Sequence, residues 1–153
     1  MHVLIATDGS EQSLEATRFL RKMADQSTVE KVTVIAVVRP LAAVPFVTDI
    51  GAQRSTERGQ EWQDYSFRQA AESATSTIAA ELTDWSPEVS TMVVSGSPAS
   101  QIVAVAKEIG ANLILVASRS SRVTDTVLMG SVAHRVMTYA PCPVLVHRPT
   151  PAR

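Results

Sequence analysis

The sequence predicts an α/β protein in which a doubly wound, five-stranded parallel sheet carries helices on both faces. Two observations lead to this fold class. Five short apolar runs recur along the 153 residues, and a segment with helical periodicity separates each run from the next. A strand that rejoins its sheet after a helical crossover lies parallel to the strand before it. A chain of this length is about one domain.

The first strand and the first helix follow one another directly. His2 to Thr7 is an apolar run that predicts a buried strand, and Asp8-Gly9 predicts the turn that ends it. Ser10 is then a helix N-cap, with Glu11 in the first turn, where a carboxylate interacts favourably with the helix dipole. The helix extends to about residue 25. Its apolar positions recur three residues apart and are expected to be buried: Leu14, Thr17, Leu20 and Met23.

The second strand and the second helix are separated by a long loop. Val32 to Val38 is almost entirely β-branched, which is typical of a strand covered on both faces. Pro40 ends this strand, and residues 39 to about 56 show no clean period. Thr56 to about Asp84 is predicted to be helical. The apolar residues available for its inner face are Trp62, Phe67, Ala70, Ala74, Ile78 and Leu82.

Three strands and two helices follow in the second half. Glu88 to Ser95 predicts the third strand, and the turn Gly96-Ser97-Pro98 opens a helix that ends at Gly110. Asn112 to Ala117 predicts a fourth buried strand. A polar loop runs from Ser118 to Met129. The remaining segments are a helix opened by Gly130-Ser131 and stopped by Pro141, a fifth strand at Val144 to His147, and a tail at residues 149–153.

The composition excludes several classes of protein. Lys and Arg number 14 and Asp and Glu 15, so the net charge of −1 gives no reason to expect nucleic acid or a membrane surface as a partner. The single cysteine, Cys142, excludes an internal disulfide and a multi-cysteine zinc site. Three histidines lie far apart in the sequence, so no metal site is expected. Since no signal peptide is visible, we expect a cytoplasmic protein.

The candidate ligand site lies where the strands end, because ligands of such sheets bind at their carboxyl edge. The dinucleotide fingerprint, the P-loop and the G-x-S-x-G elbow are all absent. Gly130-Ser131 combines a helix N-terminus with Arg119 and Arg122 in the preceding loop, which suits a phosphate. The alternative is a plain helix start with surface arginines. Asp8 could bind a ribose hydroxyl or a cation, or it could cap the turn.

With these residues identified, the chain resembles the universal stress proteins of the UspA type over essentially its whole length. The closing A-P-C-P-V-L-V run is especially specific, and the motifs together are a strong signal. They are V-L-I-A-T-D-G-S-E at Val3 to Glu11, G-S-P-A-S-Q-I at Gly96 to Ile102, A-N-L-I-L-V-A-S-R at Ala111 to Arg119, G-S-V-A-H-R-V at Gly130 to Val136, and the closing run at Ala140 to Val146.

The resemblance implies a particular fold and a particular phosphate motif. The fold is adenine nucleotide alpha hydrolase-like, with strand order 3-2-1-4-5, in a single domain over residues 1–148. ATP-binding members carry G-x2-G-x9-G-[ST] after the fourth strand, and the matching positions here are Ala117, Ser120, Gly130 and Ser131. The spacing is intact, but both upstream glycines are replaced. Alanine and serine can substitute unless the backbone needs a positive φ.

The resemblance also implies the ligand and the partner. The ligand is ATP or a related adenine nucleotide, with or without Mg²⁺, and neither nucleic acid nor membrane is implied. The partner is a second copy that pairs through residues 142–147, an apolar edge that proteins seldom leave uncovered. Asp8 matches the nucleotide-contacting acid, and the backbone at Val38 matches the segment beside the adenine. The implied site residues are Ala6, Thr7, Asp8, Val38, Ala117, Ser118, Arg119, Ser120, Gly130, Ser131 and Val132.

Three functions remain open from the sequence. The leading one is a cytoplasmic stress-response protein that binds an adenine nucleotide as a sensor or switch. The second is a nucleotide-free stress protein that acts by dimerisation and partner binding, which the two replaced glycines favour. The third is an enzyme, a slow ATPase or an adenylyl transferase. Fast turnover is not expected, because Asp8 and Asp125 are the only acids close to the predicted phosphates in sequence.

Overall fold

The computed structural model describes residues 1–40, 53–86, 88–118 and 129–149, with residues 53–64 described by their backbone alone. The alternation of strands and helices that the sequence predicts is confirmed. One additional short 3-10 helix spans Gln26–Thr28. The strands and α-helices are β1 (His2–Thr7), α1 (Glu11–Met23), β2 (Lys31–Val38), α2 (Gln53–Leu82), β3 (Val89–Ser95), α3 (Pro98–Glu108), β4 (Leu113–Ala117), α4 (Ser131–Tyr139) and β5 (Val144–His147).

The five strands form one parallel sheet in the order β3-β2-β1-β4-β5, which confirms the predicted fold class. β1 lies at the centre, where Val3 pairs with Val32 of β2 on one side and with Leu113 of β4 on the other. The chain builds outward from β1 in one direction and then, after β3, in the other. The strand order therefore reverses between β1 and β4, and the carboxyl ends of these two strands mark the crevice where ligands bind such sheets.

The core is divided into two layers by the sheet. Alternate side chains of β1 lie on opposite faces of the sheet. Val3 and Ile5 pack with α1 and α2, whereas Leu4 packs with α3 and α4. All three side chains are fully buried. This double coverage explains why the strands are apolar without alternation, and it leaves the ends of the strands as the exposed parts of the sheet.

The predicted helix boundaries are largely confirmed by their caps. The Ser10 side chain accepts a hydrogen bond from the Ser13 N–H at the start of α1. Gly130 is the N-cap of α4. Gly110 follows Ile109, the C-cap of α3, and lies in the left-handed region, as a glycine after a helix commonly does.

The predicted buried stripe of α1 is wrong at its end. Met23 is 53% exposed, whereas Leu20 is fully buried. The buried positions of the helix are Ser13, Ala16, Thr17 and Leu20. Residues three apart differ by about 60° around a helix, so three successive steps rotate a side chain by about half a turn. A stripe built only from such steps therefore leaves the buried face before it reaches Met23.

The predicted inner face of α2 is correct only toward the carboxyl end of the helix. Ile78 and Leu82 are buried, but Phe67 is 49% exposed and Ala70 is exposed; Trp62 lies outside the described side chains. α2 has 30 residues and is about 45 Å long, whereas a seven-residue strand spans only about 23 Å. The helix therefore extends past the sheet that it covers. Across the described parts of the chain, no helix is both long and apolar enough to cross a membrane.

Candidate functional site

The turn after β1 is held by a small hydrogen-bond network. The Thr7 hydroxyl is buried, lies 2.8 Å from the Ser13 hydroxyl and accepts the Gly9 N–H at 3.1 Å. Gly9 has φ +78°, a conformation in which other residues are strained. The Thr7 side chain, predicted as a ligand residue, is thus used to fix the turn and the first turn of α1. Ala6, half-buried before it, packs against the α3–α4 side of the core.

Asp8 lies at the exposed tip of this turn. Its Oδ1 accepts the Ser10 N–H at 3.0 Å, so the structure contains the Asx turn that the sequence left as an alternative. The carboxylate is nevertheless exposed at the carboxyl edge of the sheet. Capping the turn fixes its position and leaves it accessible, which is compatible with a ribose hydroxyl or a cation as a further partner.

The end of β4 and the start of α4 are joined through Ser118. Its N–H donates to the His147 carbonyl at 2.8 Å, and its own carbonyl accepts the Gly130 N–H at 2.6 Å. The N-cap of α4 is therefore fixed directly to the end of β4. Gly130 has no side chain with which to cap the helix, so the N–H groups of the first turn of α4 have no side-chain acceptor at this position. Such groups suit an anion.

The replaced glycines of the motif can be assessed at one position. Ala117 is the last residue of β4 and pairs with His147, so its backbone is extended. Among the described residues, no residue other than glycine has a positive φ. Alanine at 117 is therefore unstrained, and the absence of glycine there does not distort the site. Ser120 and Arg119, together with Arg122 and Asp125, lie outside the described residues.

The Ser118 hydroxyl is a buried polar group that makes no hydrogen bond to the part of the chain that the structure describes. The residue is 1% exposed, and no partner for its Oγ is found among the residues that the structure describes. A buried hydroxyl left unpaired costs about 1–3 kcal/mol. Such groups in native proteins call for an explanation, and a ligand that hydrogen-bonds to this hydroxyl is one.

A cavity of about 400 Å³ opens at the same edge of the sheet, between the end of β2 and the starts of α3 and α4. Its wall is tied together by the Val38 carbonyl, which accepts the Gly96 N–H at 3.0 Å. Gly96 has φ +142°, and a Cβ there would lie 2.9 Å from Gln101 Nε2, so only glycine fits without adjustment. The lining residues are Arg39, Pro40, Gly96, Ser97, Pro98, Ala99, Ser131, Val132 and Arg135.

The cavity is cationic. Arg39 and Arg135 line it, no carboxylate does, and neither arginine forms a salt bridge within the described part of the chain. Both residues are absent from the predicted site: Arg39 belongs to no motif, and Arg135 lies in the motif at Gly130 to Val136, whose first two residues alone pointed to a phosphate. A signal was available for each: Arg39 directly follows a strand end, and Arg135 lies one helical turn after Ser131.

The groups with shifted pKa values lie outside this cavity lining. Burial, together with the nearby Lys31, lowers the pKa of His2, whose Nε2 lies 2.8 Å from the Thr33 hydroxyl. Cys142 packs against the core, and this burial raises the pKa of its thiol. A thiol with a raised pKa is a weak nucleophile. No three His, Cys, Asp or Glu side chains cluster as metal ligands in the residues that can be described.

The structure brings most of the predicted site residues to one edge of the sheet. Ala6, Thr7 and Asp8 end β1 or follow it, Val38 ends β2, and Ala117 and Ser118 end or follow β4. These three strands are neighbours in the sheet. Gly130 borders the same edge through its bond to Ser118, and two further predicted residues, Ser131 and Val132, line the cavity.

The strand order and the carboxyl-edge site define a doubly wound α/β protein of the adenine nucleotide alpha hydrolase-like fold. The model of the universal stress protein family matches residues 1–148. The chain therefore belongs to the universal stress protein family, as its motifs indicated. Universal stress protein MJ0531 of Methanocaldococcus jannaschii is 30% identical over 145 residues, which cover 94% of this chain and 79% of that protein.

Two solved structures show the same fold. Hypothetical protein MJ0577 matches with a TM-score of 0.80 at 22% identity, covering 99% of this chain and 97% of the other. A universal stress protein family protein from Arabidopsis thaliana with AMP bound matches with a TM-score of 0.68 at 15% identity. The match covers 99% of this chain and 93% of the other. At these identities the likeness concerns the fold.

Proposed function

We propose that this protein binds an adenine nucleotide of the ATP type at the carboxyl ends of β1 and β4, as a cytoplasmic sensor or switch. The observation that carries the proposal is the buried Ser118 hydroxyl, which has no hydrogen-bond partner among the described residues, at the point where β4 ends and α4 is fixed. A bound ligand would supply the missing partner. Residues 1–148 are proposed to act as a single domain, with residues 149–153 as a tail.

The residues present fit such a nucleotide. The first turn of α4, starting at Ser131, offers N–H groups and the positive end of a helix dipole to the phosphates. Asp8 offers an exposed carboxylate to ribose hydroxyls or to Mg²⁺. The half-buried backbone at Val38 borders the region proposed for the adenine. The AMP bound to the Arabidopsis relative supports the choice of an adenine nucleotide.

Isothermal titration calorimetry with ATP, ADP, AMP and cyclic AMP, with and without magnesium, tests this proposal. We expect micromolar binding that Gly130→Asp abolishes, because a carboxylate would then occupy the place of the phosphate. Ala80→Asp is the control, since it adds the same charge at an exposed position of α2, away from the α4 helix start. Absence of heat with every nucleotide at millimolar concentration would refute the proposal and favour a nucleotide-free stress protein.

Homodimerisation through β5 is the second part of the proposal. β5 is an edge strand whose only described partner is β4. Leu145 packs toward the α1 side of the core and Val144 and Val146 toward the α4 side, so both faces of the edge are apolar. Exposed apolar side chains lie on the neighbouring helices: Phe19 and Met23 on α1, and Met137 and Tyr139 on α4. Phe19 lies 5.2 Å from the His147 ring, which extends this apolar surface from β5 onto α1.

Light scattering at tens of micromolar protein tests the dimer. We expect a dimer mass for the unmodified protein and a monomer, or insoluble protein, for Val144→Lys and Val146→Lys, because pairing would bury the new charge. Thr91→Lys places the same charge on the exposed part of β3, at the other edge of the sheet, and is expected to leave the dimer intact. A monomer mass for the unmodified protein rules the dimer out, and a dimer that survives both valine variants places the interface elsewhere.

A further inference from the structure

We infer that Arg39 and Arg135 make this site select nucleotides by the charge of their phosphate end, favouring ATP and ADP over AMP and cyclic AMP. The inference rests on the proposed nucleotide site and assigns it two residues that were not among the predicted site residues: Arg39, which follows β2, and Arg135, which lies in the motif at Gly130 to Val136. Its basis is the cavity that both arginines line beside Ser131 and Val132.

The cavity and the predicted phosphate site share two residues. Ser131 and Val132 belong to the Gly130-Ser131 helix start and also form part of the cavity wall. A phosphate held at this helix start therefore has the cavity as its neighbour. Arg39, Arg135 and the turn before α3 line the same cavity, so a longer phosphate chain that extends into it approaches both arginines.

The charges of the cavity have no internal compensation from the residues that the structure describes. Both arginines are exposed, no carboxylate is in the wall, and no salt bridge to either is found within the described ranges. By contrast, Arg18 and Arg21 on α1 are paired with Glu81 and Asp84. An arginine without an internal partner can turn its guanidinium to an anion without first breaking an ion pair.

The remaining polar groups of the wall are also free to face an anion. Ser97 is the N-cap of α3 but makes no capping hydrogen bond with its side chain. The first turn of α3 and the first turn of α4 thus both open toward the cavity with uncapped ends. Two helix dipoles and two guanidinium groups then act on the same ligand, and their attraction grows with each negative charge that the ligand adds.

The experiment compares affinities of ATP, ADP and AMP by calorimetry for the unmodified protein and for Arg39→Ala, Arg135→Ala and the double variant. Each single variant is expected to weaken ATP binding about threefold to tenfold, the scale of one partly exposed charge-assisted hydrogen bond, and AMP binding less than about twofold. Arg39→Lys and Arg135→Lys keep the charge and are expected to retain most of the ATP preference. Lys107→Ala is the matched control, because it removes an exposed positive charge near the carboxyl end of α3.

The outcomes separate this inference from the proposed function. If ATP binds and the arginine variants keep the unmodified ratio of ATP to AMP affinity, the inference is wrong and the nucleotide site stands. If AMP binds as tightly as ATP in the unmodified protein, the inference is also wrong. If no nucleotide binds, the proposed function fails and the inference with it. Circular dichroism of every variant confirms that the exposed substitutions leave the fold intact.

Discussion

Ser118→Ala is expected to stabilise the nucleotide-free protein while weakening nucleotide binding. Ser118 is 1% exposed, and its hydroxyl has no partner in the described structure. A buried hydroxyl without a hydrogen bond costs about 1–3 kcal/mol, and removing one oxygen leaves only a small void. The net gain is about 1 kcal/mol, which corresponds to a rise in Tm of about 2–4 °C for a chain of this size.

Ser13→Ala is the matched control with the opposite sign. Ser13 is equally buried, at 2% exposure, but its hydroxyl donates to the Ser10 carbonyl at 2.7 Å and lies 2.8 Å from the Thr7 hydroxyl. Removing it breaks two satisfied interactions, so the free energy of unfolding is expected to fall by about 1 kcal/mol or more. The two substitutions delete the same atom from the same residue type, and only the hydrogen bonding differs.

Urea and thermal unfolding, each with and without saturating ATP, provide the assay. A ligand stabilises the folded state in proportion to the logarithm of its concentration over Kd, so Ser118→Ala should show a smaller ATP-induced rise in Tm than the unmodified protein. If Ser118→Ala loses as much stability as Ser13→Ala, the Ser118 hydroxyl has a partner in the free protein. The main support for a ligand at the end of β4 would then be gone.

Three further predictions follow from the described geometry. Gly96→Ala should lower the free energy of unfolding by about 1–3 kcal/mol in urea titrations, and by more than Gly110→Ala, because both have positive φ but only Gly96 meets Gln101. Ala117→Gly should change ATP affinity less than about twofold in calorimetry, because the backbone is extended there and glycine adds no required freedom; tighter binding would contradict this. The pKa of His2 is lower in the folded protein than in the unfolded chain, so His2 binds a proton in the unfolded chain at a higher pH than in the folded protein. The free energy of unfolding should therefore fall as the pH drops below about 6.5, and it should fall less steeply in His2→Gln. Equal slopes for the two proteins would count against this.

The fold was predictable from the sequence because its signals are local. Apolar runs such as Val32–Val38 identify the buried strands, and Ser10, Gly110 and Gly130 mark helix ends with their own chemistry. The errors arose where burial depends on distance from the sheet. The apolar character of Phe67 says nothing about where β2 and β3 end, and its exposure follows from the length of α2 relative to the strands.

The candidate site was predictable only in part. Asp8 follows β1, and Gly130 is the N-cap of the helix after β4. Because β1 and β4 are neighbours, the strand order alone brings both residues to the carboxyl edge of the sheet. The roles of Thr7 and Ser118 depend on side-chain hydrogen bonds that a sequence does not display: the Thr7 hydroxyl is fully engaged, and the Ser118 hydroxyl has no partner within the described ranges. Arg39 and Arg135 required the packing of α3 beside α4 before they could be recognised as parts of one cavity.

The bond from the Gly130 N–H to the Ser118 carbonyl has a consequence for how this protein can vary. It joins the two ends of the segment 119–129, so the start of α4 is positioned by β4 independently of what lies between. Lengthening a closed loop is inexpensive, about 0.6 kcal/mol for each doubling of its length. We therefore expect changes of length within 119–129 to cost little stability, because the Ser118–Gly130 bond already holds the two ends of the segment together.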